Sequence, residues 1–150
     1  MELLSKIHPY IVHFPIALFT VYTLLEIIAL FLKNENFSKM IMIILGFGVL
    51  FSILAVLTGN SAASAGRGAV SPEVLKMIET HESLATITLF YYAALLFLRF
   101  YFILKRKSGS LIKYSFLALV LIGNIFIYLT GYYGGELVFK HGVGTQLIKN

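Results

Sequence analysis

Four long apolar runs fix what this chain can become. They extend from about Ile11 to Leu32, Met40 to Gly59, Leu84 to Leu104 and Leu111 to Tyr133, and all are rich in Leu, Ile, Phe and Val. A helix needs ~20 apolar residues to cross a hydrocarbon core of ~30 Å. Backbone groups inside a bilayer find no water, so the runs must be helices or strands of a closed barrel. They lack two-residue alternation and are too long for tilted strands, so the spacing predicts helices. The expected fold class is an all-α membrane protein, a four-transmembrane-helix bundle forming one domain over residues 1–150.

Composition agrees. The chain is 59% hydrophobic and 13% charged, too few charges to coat a soluble domain of 150 residues. Its net charge of +5 does not form a phosphate groove, because the basic residues flank the apolar runs, so no nucleic-acid partner is expected. Cys is absent, which excludes disulfides, thiolate metal sites, iron–sulfur clusters and covalent haem attachment. Glu2 and Lys6 lead directly into a run of full span length with no small-residue cleavage site, so the first run reads as a span rather than a cleaved signal.

The two short links are basic. Lys33, Lys39, Arg99, Lys105, Arg106, Lys107 and Lys113 lie near them against a single acid, Glu35. The other face carries Lys6, Arg67, Lys76, Lys140 and Lys149 against Glu2, Glu73, Glu79, Glu82 and Glu136. Basic short loops favour the cytoplasm. Both termini and an outer loop of about residues 60–80 are therefore expected outside a bacterial inner (plasma) membrane. Within that loop, Ser71-Pro72-Glu73 has the form of an N-cap, a first-turn proline and an acidic first turn. A faint repeat joins the halves. His13-Phe14-Pro15-Ile16-Ala17 and His81-Glu82-Ser83-Leu84-Ala85 head the first and third spans, and Leu57-Thr58-Gly59 and Leu129-Thr130-Gly131 close the second and fourth. His-to-Thr separations of 45 and 49 residues suggest two hairpins related by a pseudo-twofold along the membrane normal, with His13 and His81 as mates.

Span counting puts all four histidines, His8, His13, His81 and His141, at one face. Single interfacial histidines are usually anchors or hydrogen bonders. Four on one side, with none elsewhere, point further, because ionisable groups near a membrane interior are expensive and tend to be functional. Neutral imidazole ligates haem iron, Zn and Cu. Helical bundles hold haem between facing histidines. Gly46, Gly48 and Gly123 offer close backbone approach, Phe14, Phe90, Tyr91, Tyr92 and Tyr132 offer aromatic walls, and Arg67 and Lys140 offer cations for propionates. Each has a plainer role: glycines pack helices, tyrosines line the interface, and loop arginines are solvated. The combination favours a non-covalent b-type haem. A bare Cu or Zn site is weaker, since Glu79 and Glu82 pair poorly with His81 along a helix and no dense ligand motif occurs.

Glu26 and Arg99 are the charges well inside the spans, expected as an ion pair or with Arg99 snorkelling to the surface; a proton relay through Glu26 is the alternative. Asn124 reads as interhelical glue. No phosphate loop, nucleophile elbow or dinucleotide fingerprint is present.

His8-Pro9-x-x-Val12-His13-Phe14-Pro15-Ile16-Ala17-Leu18, His81, and Thr130-Gly131-x-x-Gly134-Gly135-x-Leu137-Val138-x-x-His141-Gly142-Val143-Gly144 together resemble a bacterial family of four-helix membrane proteins, a domain of unknown function. The resemblance spans essentially the whole chain and maps the family's histidines onto His8, His13, His81 and His141. Its members are sometimes joined to redox modules, which implies a haem or electron-transfer role.

The expectation is a membrane b-type haem protein that relays electrons near the extracytoplasmic face and is an electron-transfer or binding protein more than a catalyst. One or two haems are expected. His13 and His81 are the first axial pair, His8 and His141 are outer groups or ligands of a second haem, and Arg67 is a propionate partner. The alternatives are a histidine-based Cu or Zn binding or transport protein and a non-catalytic membrane subunit of a redox complex. Expected partners are the lipid bilayer, a redox protein or quinol, and optionally a second copy of the chain.

Overall fold

A computed structural model describes residues 2–32, 35–107 and 109–143; Lys33, Gly144 and Lys149 lie outside the described residues. Among the described residues five helices follow in order: α1 (Glu2–Ile11), α2 (His13–Phe31), α3 (Glu35–Gly66), α4 (Pro72–Leu104) and α5 (Ser110–Phe139), with a 3-10 turn at Arg67–Ala69. Four segments are long and apolar enough to cross a membrane: Leu4–Phe31, Asn36–Ser64, Pro72–Leu104 and Ser110–Phe139. Large apolar side chains stay uncovered along them, with Phe97 73% and Leu111 80% exposed. Such surfaces are stable only against lipid, so the chain is a multi-pass membrane protein.

Two boundaries differ from expectation. The first span begins further out, because α1 and α2 nearly run together. Val12 between them keeps helical angles and donates its N–H to the His8 carbonyl. Pro15 lacks the N–H that would bond to the carbonyl of Ile11, which places the break there. The expected outer loop at residues 60–80 is also mostly helix. Asn60 to Gly66 continue α3, since alanine is the best helix former and Ser61 and Ser64 return their hydroxyls to the carbonyls of Leu57 and Asn60. Only residues 67–71 separate α3 from α4. The start of α4 is as the sequence indicates: Ser71 Oγ accepts the Val74 N–H at 3.4 Å, and Pro72 opens the helix.

The spans form a ring. Helix α2 packs on α3 and α5, α4 packs on α3 and α5, and α1 extends along α3. Exchanging α2 with α4 and α3 with α5 leaves this set of neighbours unchanged, as a pseudo-twofold along the bundle axis requires. Side chains of the diagonal helices α2 and α4 meet on that axis. Phe19 and Tyr92 stack there with centroids 3.7 Å apart and planes inclined by 10°. Such a pair adds ~0.5–1.5 kcal/mol beyond its area burial.

These contacts set the register of the repeat. Phe19 and Tyr92 are 73 positions apart, as are Glu26 and Arg99, and so are His8 and His81. The equivalent of His81 is therefore His8, not the expected His13. On the second helix of each half the shift is 75 positions: Phe19 lies against Gly48 and Tyr92 against Gly123, while His8 lies against Gly59 and His81 against Gly134.

Candidate functional site

The equivalent histidines mark one end of the bundle. His81, half-buried on α4, places Nδ1 3.0 Å from the Thr130 carbonyl of α5. A carbonyl only accepts, so Nδ1 carries the proton and Nε2 of the neutral ring keeps its lone pair. His8, half-buried on α1, places Nδ1 3.1 Å from Thr58 Oγ1 of α3. The Thr58 hydroxyl proton is directed at the Leu54 carbonyl, 2.8 Å away, so here too Nδ1 donates and Nε2 is free. The Ala55 carbonyl lies beside the same ring, and Ala55 is the 75-shift counterpart of Thr130.

Glycine lets each ring approach. A Cβ on Gly59 would fall 2.9 Å from His8 Cε1, and one on Gly134 would fall 3.0 Å from His81 Cε1. Each half thus presents an imidazole backed by a helix surface and anchored through Nδ1, with the lone pair on Nε2. A histidine that binds a metal is ordinarily held this way.

The other two histidines are placed differently. His13 is exposed, and its Nδ1 donates to the Pro9 carbonyl one turn back at 2.6 Å. His141 is exposed just beyond α5. The residues around it end the helix: Gly142 adopts φ 64°, which glycine tolerates best, and the Val143 N–H returns to the Leu137 carbonyl at 2.9 Å. Val143 then packs on the small core of Ala63, Val74, Ile78 and Leu137. Nearby, the hydrogen-bonded carboxylate of Glu136 holds the Lys140 ammonium above its ordinary pKa.

A groove of about 850 Å³ opens beside the histidine end, lined by Asn60, Ser64, Arg67, Glu82, Ser83, Thr86 and Ile87. Arg67 binds Glu82 there at 2.6 Å, with its side chain 47% exposed.

The residues a b-type haem would need are absent from one level of the bundle, and its two nitrogen donors are present at another. In the middle, the expected glycines are already occupied, because Gly48 receives the Phe19 ring and Gly123 receives Tyr92. Gly46 faces open space, and Phe90 and Tyr132 are exposed rather than walls of a pocket. At the histidine end the donor set does fit. Porphyrin supplies four nitrogens and asks two of the protein, and His8 and His81 offer two. A bare Zn or Cu ion asks for three or four protein ligands. Among the described residues, no group of three or more His, Cys, Asp or Glu could hold one.

The opposite end, where the short connections lie, is built on charge. Arg99 Nη2 and Glu26 Oε1 form an ion pair, with Glu26 2% exposed. Arg99 also lies over the Phe116 ring at 4.7 Å. The sequence expectation of a pair is met, in its buried form. Between the two ends, Asn124 Oδ1 accepts from Thr23 at 3.1 Å and from Tyr92 at 3.2 Å, joining three helices.

No curated protein and no solved structure matches the chain. Residues 5–147 match the model of a family described as predicted membrane protein (DUF2231), and the chain belongs to that family.

Proposed function

We propose that His8 and His81 would hold a b-type haem, and that the protein relays electrons at the histidine end of the bundle. One observation carries this reading. Two imidazoles at equivalent positions of the two halves each donate Nδ1–H to a helix oxygen, which leaves the ring's lone pair on Nε2. The haem would supply one-electron chemistry. The chain's own part would be to fix both rings, back them with Gly59 and Gly134, and hold Arg67, paired with Glu82 next in sequence to His81, as a cation for a propionate. A redox protein or quinol would exchange the electrons.

The absorption spectrum of detergent-purified protein expressed with ample haem tests the reading. Soret and α bands are expected in the wild type, lost in His8→Ala and in His81→Ala, and kept in His13→Ala and His141→Ala. Absence of the bands, or bands unchanged in both of the first two variants, overturns it. Stoichiometric copper or zinc without porphyrin replaces it with a metal-binding role.

The same reading puts the histidine end and both termini outside the inner membrane. The excess of Lys and Arg at the short connections supports this. Because the chain has no Cys, single cysteines at Ser71 or Ser38 can be labelled against a clean background. An impermeant reagent on intact cells should reach Ser71→Cys and not Ser38→Cys; the reverse pattern inverts the topology.

A further inference from the structure

The groove of about 850 Å³ beside the histidine end has no part in the haem reading except through Arg67. Its volume falls in the range of about 300–1,000 Å³ typical of small-molecule sites. It straddles the hydrocarbon boundary. Asn60 and Ser64 follow the apolar run that closes at Gly59, and Glu82 and Ser83 precede the run that opens at Leu84. Toward the bilayer on the same two helices, Leu57, Ile87 and Phe90 are exposed. The fold does not impose a polar lining at this level. The equivalence of the two halves puts Gly135 and Phe139 where the groove has Asn60 and Ser64, and Tyr10 and His13 where it has Ser83 and Thr86. Phe139 is 91% and Tyr10 74% exposed, so these positions accept large aromatic side chains, and the polar set is particular to one half.

The charges in the groove select the ligand. The Arg67–Glu82 pair uses Nη2 of a guanidinium that has five N–H donors and one of the two carboxylate oxygens, so both groups keep capacity for a ligand. A lone anion would meet Glu82 and a lone cation would meet Arg67, whereas a ligand that carries both charges meets each with its opposite. The hydroxyls select further. Ser64 and Thr86 give their protons to the carbonyls of Asn60 and Glu82, at 2.7 and 2.9 Å, so their oxygens can only accept. The ligand must therefore bring N–H donors, as a primary ammonium does and a quaternary one does not. We propose that this groove binds the headgroup of an ethanolamine phospholipid from the leaflet at the histidine end. The phosphate lies on Arg67, the ammonium on Glu82 and the hydroxyl oxygens, and the acyl chains along Leu57, Ile87 and Phe90. The site uses no histidine and shares Arg67 alone with the haem reading, so it stands whether or not the protein binds haem.

Thermal unfolding of the purified full chain in a neutral detergent tests it, because a ligand of the native state raises the midpoint in a saturable way. The micelles carry rising mole fractions of phosphatidylethanolamine, phosphatidylcholine or phosphatidylglycerol with matched chains. Phosphatidylethanolamine should raise the midpoint saturably, with an apparent affinity about tenfold above either other lipid. Phosphatidylcholine keeps both charges but lacks the N–H donors, and phosphatidylglycerol keeps the phosphate but lacks the cation. Glu82→Gln should remove the advantage of phosphatidylethanolamine over phosphatidylglycerol, since Arg67 is then left to an anion. Ser83→Tyr carries the side chain of the equivalent Tyr10 into the groove and should abolish the response without lowering the lipid-free midpoint. Ser83 is exposed, so this variant gives an answer even if Glu82→Gln fails to fold. The proposal is overturned by no saturable rise with phosphatidylethanolamine, by equal rises with all three lipids, by a stronger response to phosphatidylglycerol, or by a response unchanged in both variants. A rise of the same size with soluble phosphoethanolamine overturns the bilayer as the source.

Discussion

Along the bundle axis, the two halves agree at one end and oppose each other at the other. The equivalent positions are identical at His8 and His81, similar at Phe19 and Tyr92, and opposite in charge at Glu26 and Arg99. Glu26 lies 18 residues beyond His8, or ~27 Å at ~1.5 Å per residue, so the sequence of changes covers nearly the whole membrane. The difference agrees with the proposed function. Two like imidazoles can share a ligand between them. Two like charges buried on one axis repel, whereas opposite charges neutralise each other.

The largest expected effect breaks the asymmetric end. Glu26→Leu or Arg99→Leu alone leaves one charge buried without its partner and should cost ~3–5 kcal/mol. The double variant should recover most of that loss in detergent unfolding curves, and the exchange Glu26→Arg with Arg99→Glu should stay close to the wild type. A double variant as unstable as either single one would show that the residues act separately.

The middle comes next. Gly48→Ala would place Cβ 2.5 Å from Phe19 Cε1, and Gly123→Ala would place it 2.8 Å from Tyr92 Cζ. Both rings are buried and stacked, so each variant should lose ~1–3 kcal/mol in the same assay. Gly46→Ala, on the same helix but facing open space, should be neutral or gain up to ~1 kcal/mol. Equal losses at Gly46 and Gly48 would remove close packing as the cause.

At the symmetric end, Thr58→Val takes away the hydroxyl that accepts from His8 and should cost ~1 kcal/mol. Thr130→Val leaves in place the carbonyl that accepts from His81. Nitrogen chemical shifts of the two rings should therefore change at His8 in the first variant and stay unchanged at His81 in the second. A shift of both rings in either variant would mean that the pair moves as a unit. The smallest effect belongs to Lys140→Ala, which removes an exposed i,i+4 ion pair and should leave the unfolding midpoint unchanged.

Much of this was legible in the sequence. The spans follow from run length, the Ser71–Pro72 start from cap chemistry, the Glu26–Arg99 pair from the cost of charge in lipid, and the one-sided histidines from span counting. The register of the repeat was not. His13 and His81 share a local His-x-x-x-Ala pattern, yet His8 is the residue whose ring meets Thr58 and Gly59. The true equivalences are single residues far apart in the chain, and only side chains meeting on the axis reveal them. The second helices are shifted by two further positions, which also hid the match of Gly48 with Gly123 and of Gly59 with Gly134. Gly48 and Gly123 are places of close approach, as the sequence indicates, but what approaches is a ring from another helix, and Gly46, expected with them, faces open space. The Asn60–Gly66 segment was misjudged because small residues suit a loop and a tightly packed helix equally well.

The opposed charges also write a pairing code for the halves as separate pieces. Cut at the connection between α3 and α4, each hairpin would carry its own half of the ion pair. Two copies of the first hairpin would bring two carboxylates together on the axis, and two copies of the second would bring two guanidiniums together. Only the mixed pair is neutral there. The chain is thus built like a heterodimer joined by a short link, with choice of partner enforced less by attraction than by the penalty on self-association.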